Sequence, residues 1–547
     1  MNDVFDFVIV GSGPAGCVLT QRLTADGSAT VCVLEAGVSE KNLFISIPAG
    51  FVKTLYGQKY SWPFATQAGA AIQGRSIAIP QGKVVGGSGS INGLAYSRGQ
   101  REDFDDWKAL GNPGWGYDEV LPYFQRTERR IGKGDDAFRG RSGELPITNP
   151  DWTSRLCDAF IEGAVQYGIP ENADYNGATH NGVGYFQRYI HQGRRVNAAT
   201  ALLRPALARG HAELRTQAQA TSIVFEGRRA VGVRYLQDGL QKTVMARREV
   251  LVCAGTINSP KLLQLSGIGP GALLQSCGVD VVQDVPGVGE NLQDHYTVRI
   301  AAQVKNARSM NELSRGWRLG LEMSRWLLGR PSILSLSPSL VHVFWKSRPE
   351  LTRGDIQVLF TPASYKQGRN YVLDDFPGVS CGARQQRPES RGTVRIQSKD
   401  ATLNPAVQPN YLSAEKDQQV IVAALKIARQ LMRTPAMSPY FEAETLPGAG
   451  VESDADWLDF ARQRGSTGYH LVGSCRMGPP TDHTAVVDSE LRVRGVFGLR
   501  VVDASVMPTV PSANTAAATM MIAEKAADLL LYRTEPEAFR RPATRFN

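Results

Sequence analysis

Closely spaced glycines near the start of the chain have the pattern of a site for nucleotide phosphates. The GxGxxG motif consists of Gly11, Ser12, Gly13, Pro14, Ala15 and Gly16. In such a motif the first glycine permits a tight turn, the second lets the backbone approach a pyrophosphate, and the third allows close helix–strand packing. The N–H groups that begin the following helix would bind the phosphate oxygens. Glu35 lies where an acidic residue binds ribose hydroxyls, so the pattern predicts a dinucleotide other than NADP.

This motif needs a strand before it and a helix after it, and the sequence supplies both. Residues 6–10 form an apolar run, and apolar side chains recur at helical spacing after Gly13. Residues 31–34 are continuously apolar, as expected for a central parallel strand that is covered on both faces.

Elements from the middle and the end of the chain complete the same layer. Residues 250–254 and 499–503 are predicted strands, and residues 516–531 form a strongly helical run. A helix should begin near Ser259 and Pro260, because proline favours the first helical position. We therefore predict one α/β layer that is assembled from the start, the middle and the end of the chain.

Mixed patterns with aromatic strand signals predict a second domain laid over the first. They occupy residues 155–205 and roughly residues 300–465. Within them, residues 355–360 and 392–396 alternate like half-exposed strands. The length of 547 residues accommodates more than one domain.

The composition is that of a globular protein that binds neither nucleic acid nor zinc. The net charge of +9 is dispersed and no basic block with interspersed aromatic residues stands out, so no nucleic-acid partner is expected. Seven scattered cysteines without a CxxC pair predict free thiols in a reducing cytoplasm, and metal-ligand spacings are absent. With neither a signal peptide nor a membrane-spanning run, we expect a cytoplasmic location.

Residues 311–329 combine apolar and basic side chains at helical spacing. We expect a surface helix whose apolar face packs on the core; the alternative is a weak peripheral contact with the inner face of a membrane. The side chains concerned are Leu313, Trp317, Leu321, Trp326, Arg315, Arg318 and Arg325.

Five longer motifs resemble those of the glucose–methanol–choline (GMC) oxidoreductase family. They occur in family order at residues 82–93, 255–269, 287–295, 469–478 and 501–508. The resemblance implies an α/β fold, α+β over the whole chain, with a discontinuous Rossmann-like FAD-binding domain and a substrate domain built on an antiparallel sheet. The expected limits are 1–154, 206–300 and 466–535 for the FAD-binding domain, 155–205 and 301–465 for the substrate domain, and 536–547 for a tail.

The resemblance also implies which residues contact FAD. The motif positions that would line the flavin and the pyrophosphate are Gly86, Gly87, Asn92, Gly93, Asp503 and Ala504. Ala220 would contact the adenine side, and the helix that starts near Thr515 would face the pyrimidine end of the flavin. Some members attach FAD through a histidine at the position of Ile91, so we expect non-covalent FAD here.

His470 and Asn514 are the catalytic residues that the resemblance implies. An imidazole with a pKa near neutrality suits a base that takes the hydroxyl proton, and an amide could stabilise the substrate oxygen. Each residue also has a simpler interpretation, because His470 could be a core histidine and Asn514 could cap the following helix. His295 has the appearance of a structural residue.

The reaction that follows is FAD-dependent oxidation of a primary alcohol, aliphatic or aromatic, to the aldehyde, with hydride transfer to flavin N5. Molecular oxygen or a quinone-type compound would accept the electrons. The alternative is an FAD-containing hydroxynitrile lyase on the same fold, without net redox chemistry. Choline would need a carboxylate or an aromatic cage for its ammonium group, and the sequence does not reveal one.

Overall fold

Two seven-stranded sheets organise the fold. The computed structural model describes residues 3–368 and 371–531, so the tail at 536–547 and the last residues of the expected FAD-binding domain lie outside it. The strands of the two sheets, in chain order, are β1 Val4–Val10, β2 Val31–Leu34, β3 Gly182–Tyr185, β4 Ala212–Arg215, β5 Gln219–Glu226, β6 Arg229–Gln237, β7 Leu240–Val252, β8 Tyr296–Val304, β9 Val341–Trp345, β10 Ile356–Thr361, β11 Gly378–Gln385, β12 Phe441–Leu446, β13 Ser466–Thr467 and β14 Leu499–Val501.

The longer helices connect and cover these sheets. They are α1 Pro14–Leu23, α2 Arg101–Ala109, α3 Tyr117–Thr127, α4 Arg155–Gln166, α5 Gly255–Leu265, α6 Gly316–Leu327, α7 Glu415–Met432, α8 Asp454–Arg464 and α9 Thr515–Leu531. Shorter helices occupy Leu43–Ser46, Phe51–Thr54, Arg204–Ala208, Gly271–Ser276 and Met310–Leu313. Within the described ranges, no helix is long and apolar enough to cross a membrane.

The first sheet joins segments that are far apart in the sequence. Its order is β4-β2-β1-β7-β6-β5, and β14 pairs with β7. Strands β4, β2, β1, β7 and β14 run parallel to one another, and Val8 in β1 lies opposite Cys32 in β2 and Val250 in β7. Helices α1 and α9 pack together beside the sheet. The α/β layer predicted from the start, the middle and the end of the chain is therefore confirmed.

One predicted helix start is wrong. Helix α5 begins at Gly255, and Pro260 lies inside it instead of at its first position. A proline inside a helix leaves the carbonyl four residues earlier without its N–H partner. Here the Ser474 hydroxyl donates to that Thr256 carbonyl at 2.6 Å, so tertiary structure supplies the missing bond.

The second sheet is antiparallel and has the order β12-β8-β11-β10-β9-β3, with β13 paired to β8. Helix α7 packs on β8, β10 and β11, and α4 packs on β3 and β10. An antiparallel sheet backed by helices is the architecture expected for the substrate domain. Strand β8 begins before the predicted boundary at residue 300, and β13 pairs with it from beyond the boundary at 466; the domain limits stay predictions.

Helix α6 does not pack its apolar face on the core, so that expectation is wrong. Its one buried residue is Glu322. The side chains of Trp317, Leu321 and Leu327 are 74%, 43% and 73% exposed. Glu322 accepts hydrogen bonds from Arg325 and from the backbone N–H of Ile333, which holds the polar face inward and turns the apolar face to solvent.

Candidate active site

A cavity of about 380 Å³ lies between the two sheets. The carboxyl ends of β1, β2 and β7 form one end, which is where open α/β sheets bind their ligands. The inner face of the second sheet forms the other end, through side chains of β8, β10 and β11.

The glycine motif at this cavity has the geometry that a pyrophosphate requires. A Cβ at Gly11, where φ is +103°, would collide with the Cys253 carbonyl, and a Cβ at Gly16 would collide with the carbonyl of Gly11. A Cβ at Gly13 would meet nothing within 4 Å, because this position faces the cavity. The motif thus contains two packing glycines and one that leaves room for a ligand.

Two buried carboxylates hold the loops at this end of the cavity. Glu35 accepts the backbone N–H of Ser12 at 3.0 Å and that of Gly37 at 2.8 Å, and burial raises the pKa of its carboxyl. Asp503 accepts the N–H of Gly255 at 2.9 Å and the Ser259 hydroxyl at 2.5 Å, and burial raises its pKa as well.

The second glycine-rich segment packs directly on the first. A Cβ at Gly87 would lie 2.8 Å from the Cα of Gly13, so only glycine permits this approach. Gly86, with φ at +90°, does not line the cavity; a Cβ there would collide with Ser90. Ile91 lines the cavity with an apolar side chain that offers no atom for a covalent bond to a cofactor.

His470 faces the cavity at its other end, and its neighbours determine which ring nitrogen carries the proton. His295 Nε2 lies 2.8 Å from the Gln386 carbonyl, which can only accept, so this nitrogen carries hydrogen. His295 Nδ1 therefore accepts, and His470 Nδ1, 2.9 Å away, donates to it. In a neutral imidazole the lone pair is then on His470 Nε2. Asn514 Nδ2 donates to that nitrogen at 3.0 Å.

Burial and nearby charge keep both imidazoles neutral. Burial, then Arg384 and His295, hold the pKa of His470 well below its usual value. Burial, reinforced by Arg384, lowers the pKa of His295 to about 3. Arg384 Nη1 lies 3.3 Å from His470 Nδ1, and because both atoms carry hydrogen we regard the contact as electrostatic. The Asp294 carboxylate accepts the backbone N–H of His470 at 2.7 Å and fixes this segment.

The structure adds residues to the cavity that the sequence analysis missed. Arg299 and Arg384 line it from β8 and β11, together with Tyr371 and Tyr469. The pairing of His295 with His470 was missed too, since His295 does not line the cavity and contacts the His470 ring on the side away from it. No sequence signal could reveal these contacts, because they join strands that are far apart in the chain.

Comparisons with known proteins agree with this geometry. Two models of the GMC oxidoreductase family match residues 5–297 and 388–523. The oxygen-dependent choline dehydrogenase of Vibrio vulnificus (strain YJ016) is 39% identical over 535 residues, which cover 97% of this chain and 95% of that protein. The enzyme of the same name from Brucella ovis is 39% identical over 533 residues, covering 97% and 96%. The crystal structure of pyridoxine 4-oxidase from Mesorbium loti superposes with a TM-score of 0.87 at 31% identity, covering 95% and 98%.

The chain belongs to the GMC oxidoreductase family. It is an FAD-dependent oxidoreductase that acts on CH–OH donors, as the resemblance of its motifs predicts. The cavity fits FAD on its own geometry. Gly13 leaves open space beside the first turn of α1, Glu35 lines the cavity at the end of β2, and Thr515 lines it at the start of α9.

Most residues predicted for this GMC oxidoreductase site lie around the one cavity. Gly16 and Gly86 are the two exceptions, because they do not line the cavity. The cavity-lining residues are Gly11, Gly13, Pro14, Ala15, Glu35, Gly87, Asn92, Gly93, Ala220, His470, Asp503, Ala504, Asn514 and Thr515. Their individual contacts with FAD stay predictions.

A methyl group at Gly13 should weaken FAD binding and leave the fold intact. We expect Gly13→Ala to lower FAD affinity at least about tenfold, because the new Cβ points into the space of the pyrophosphate. Titration of the apoprotein with FAD, followed by flavin fluorescence, measures the change. Gly320→Ala on α6 is the matched control, since a Cβ there also meets nothing within 4 Å. Unchanged FAD affinity in Gly13→Ala would show that the pyrophosphate does not bind next to Gly13.

Proposed function

We propose that this GMC oxidoreductase converts a primary alcohol to the aldehyde, with His470 as the base for the hydroxyl proton. The observation that carries the proposal is the hydrogen-bond chain from the Gln386 carbonyl through His295 to His470. It fixes the tautomer in which the unprotonated Nε2 faces the cavity. A buried, neutral imidazole in this orientation is ready to accept a proton.

The reaction balances with the groups at hand. The O–H bond of the alcohol breaks and its proton passes to His470 Nε2. The carbinol C–H bond breaks, a C=O bond forms, and FAD, when bound, supplies the acceptor for the hydride at N5. Asn514 Nδ2, which donates to His470 at 3.0 Å, can donate instead to the substrate oxygen as negative charge develops on it.

The relatives support oxidation and leave the finer points to experiment. Dehydrogenation of a CH–OH group is common to their names, and none of those compared above is a lyase. Nothing in the cavity favours cyanohydrin cleavage either. Molecular oxygen or a quinone-type compound is the proposed electron acceptor.

Replacement of His470 by alanine should nearly abolish flavin reduction while FAD stays bound. Loss of a general base typically costs about 10²- to 10⁴-fold, and we expect a loss in this range. Stopped-flow absorbance of the flavin under anaerobic conditions, with saturating benzyl alcohol, measures the rate. His191→Ala, outside the cavity, is the control. A normal reduction rate in His470→Ala would eliminate the proposed role.

The pH dependence of kcat/KM should show the effect of the Arg384 charge on the pKa of His470. Because the pKa of His470 is held well below its usual value, kcat/KM for a neutral alcohol should fall only well below pH 6.5. Arg384→Met removes a positive charge that opposes protonation, so the imidazolium becomes more stable and the acidic limb should move to higher pH. Arg228→Met, at the surface, should leave the limb in place. A limb that stays put in Arg384→Met contradicts this electrostatic assignment.

We also propose that the exposed face of α6 touches an anionic membrane surface weakly. Trp317 and Leu327 present apolar groups to solvent, and the side chain of Arg325, although it forms an ion pair with Glu322, is 47% exposed at the edge of this face. A cytoplasmic protein that is peripheral to the inner face of a membrane would have these features.

Co-sedimentation with phosphatidylglycerol vesicles tests this contact. The combined change Trp317→Ser and Leu327→Ser should reduce the vesicle-bound fraction severalfold, because it removes the apolar groups that insert between headgroups. Leu110→Ser and Leu240→Ser, at positions 51% and 64% exposed elsewhere, form the control. Equal sedimentation of both variants and the wild type would argue against a role for α6.

A further inference from the structure

The substrate end of the cavity has positive charge and lacks a carboxylate. Among the described residues that line the cavity, the acidic ones are Glu35 and Asp503, and both are bonded to loops at the phosphate end. Arg299 and Arg384 line the opposite end, near His470. Arg384 is buried, and although Asp294 acts on its charge, no ion pair within the described residues holds it; Arg299 is exposed to the cavity. A buried charge without an ion-pair partner is costly, so Arg384 calls for an anion, and Arg299 adds positive charge beside it.

The pairing of β8 with β11 places both arginines on the same face of the sheet. Arg384 lies opposite Thr297, and Arg299 is two residues further along β8. Side chains two residues apart project to the same side, at a distance of about 7 Å. The residue opposite Arg299 is Gly382, which has no side chain to fill the gap between them. The two guanidinium groups therefore face a common space.

Arg384 has donors without acceptors. The side chain is buried, with the residue only 3% exposed, and its Nε and Nη2 atoms make no hydrogen bond within the described residues. Burial lowers the pKa of Arg384 to about 9, so the group is still charged at neutral pH. A planar carboxylate can accept two parallel hydrogen bonds from such a fork.

Arg299 adds a second positive charge to this end of the cavity. It projects into the cavity, and in the part of the chain that the structure describes no carboxylate forms an ion pair with it. Its guanidinium lies 5.0 Å from the centre of the Tyr365 ring, in the manner of a cation–π contact. Tyr56 and Tyr469 bond to each other through their hydroxyls at 2.6 Å beside it. The ring of Tyr365 is thus already in contact with a cation of the chain itself.

We infer that the alcohol oxidised by this protein carries a carboxylate, which Arg299 and Arg384 bind while the hydroxyl group lies at His470 and Asn514. The inference rests on the proposed function. Both arginines and His470 line the same cavity, so a hydroxy acid or a hydroxymethyl-substituted aromatic acid is the substrate class that we infer. Two of the relatives are called choline dehydrogenases. The positively charged ammonium group of choline would be repelled by these arginines.

Matched substrates of different charge test the inference on the FAD-loaded enzyme. The acid is 4-(hydroxymethyl)benzoate and its neutral counterpart is 4-(hydroxymethyl)benzamide; choline is compared with its neutral counterpart 3,3-dimethylbutan-1-ol. We expect kcat/KM for anaerobic flavin reduction to be at least about tenfold higher for the acid than for the amide, a difference of one ion-paired contact. Choline should react more slowly than its neutral counterpart.

Variants of the two arginines and a binding measurement test whether these residues cause the preference for the acid. Arg299→Met and Arg384→Met should each reduce the ratio of acid to amide, whereas Arg228→Met should preserve it. Benzoate should perturb the flavin spectrum of the wild type at lower concentration than benzamide does, and the difference should shrink in Arg299→Met. Equal kcat/KM for acid and amide, or a preference for choline, overturns this inference alone. If no alcohol of any charge reduces the flavin, the proposed function fails and the inference fails with it.

Discussion

The whole site depends on three distant segments of chain meeting at the carboxyl edge of one parallel sheet. Asp503 is the central link, because its buried carboxylate bonds the N–H of Gly255 and the hydroxyl of Ser259 at the start of α5. The glycines of the first motif let α1 approach the same edge, where a larger residue at Gly11 or Gly16 would collide with backbone. The cofactor position is therefore set by backbone packing. Side chains of the second sheet can differ without disturbing that position, and they determine which substrate the site accepts.

Beside the second sheet, hydrogen bonds fix the orientation of the base that we propose, His470. A backbone carbonyl at Gln386 fixes His295, and His295 fixes the tautomer of His470. A carbonyl cannot change its protonation, so the orientation of the lone pair does not depend on pH over the range in which His295 stays neutral. The tautomer of His470 thus follows from a backbone carbonyl and a second imidazole, while Asp294 bonds only the backbone N–H of His470.

Sequence patterns predicted the strands and motifs that depend on neighbouring residues, and they missed the features that depend on contacts between other parts of the chain. The first sheet and the fingerprint around Gly13 follow from apolar runs and glycine spacing, which are local signals. The start of α5 was wrong because Ser474, remote in sequence, bonds the carbonyl that Pro260 leaves free. The orientation of α6 was wrong because Glu322 bonds the backbone N–H of Ile333 just after the helix, a contact that the spacing of apolar residues does not indicate. A charged residue in a strand ordinarily faces solvent, so only the strand register and the cavity lining show that Arg299 and Arg384 face the cavity.

On the proposed function, the position of Arg384 would couple the charge of the substrate to the basicity of His470. An arginine beside His470 opposes protonation of the imidazole, which would slow removal of the alcohol proton. A carboxylate bound to that arginine neutralises much of its field, so the pKa of His470 would rise at the moment the substrate is in place. A neutral or cationic alcohol would leave the base weak. On this argument the same pair of arginines both holds the substrate and makes the proton acceptor competent only when an anionic substrate is bound.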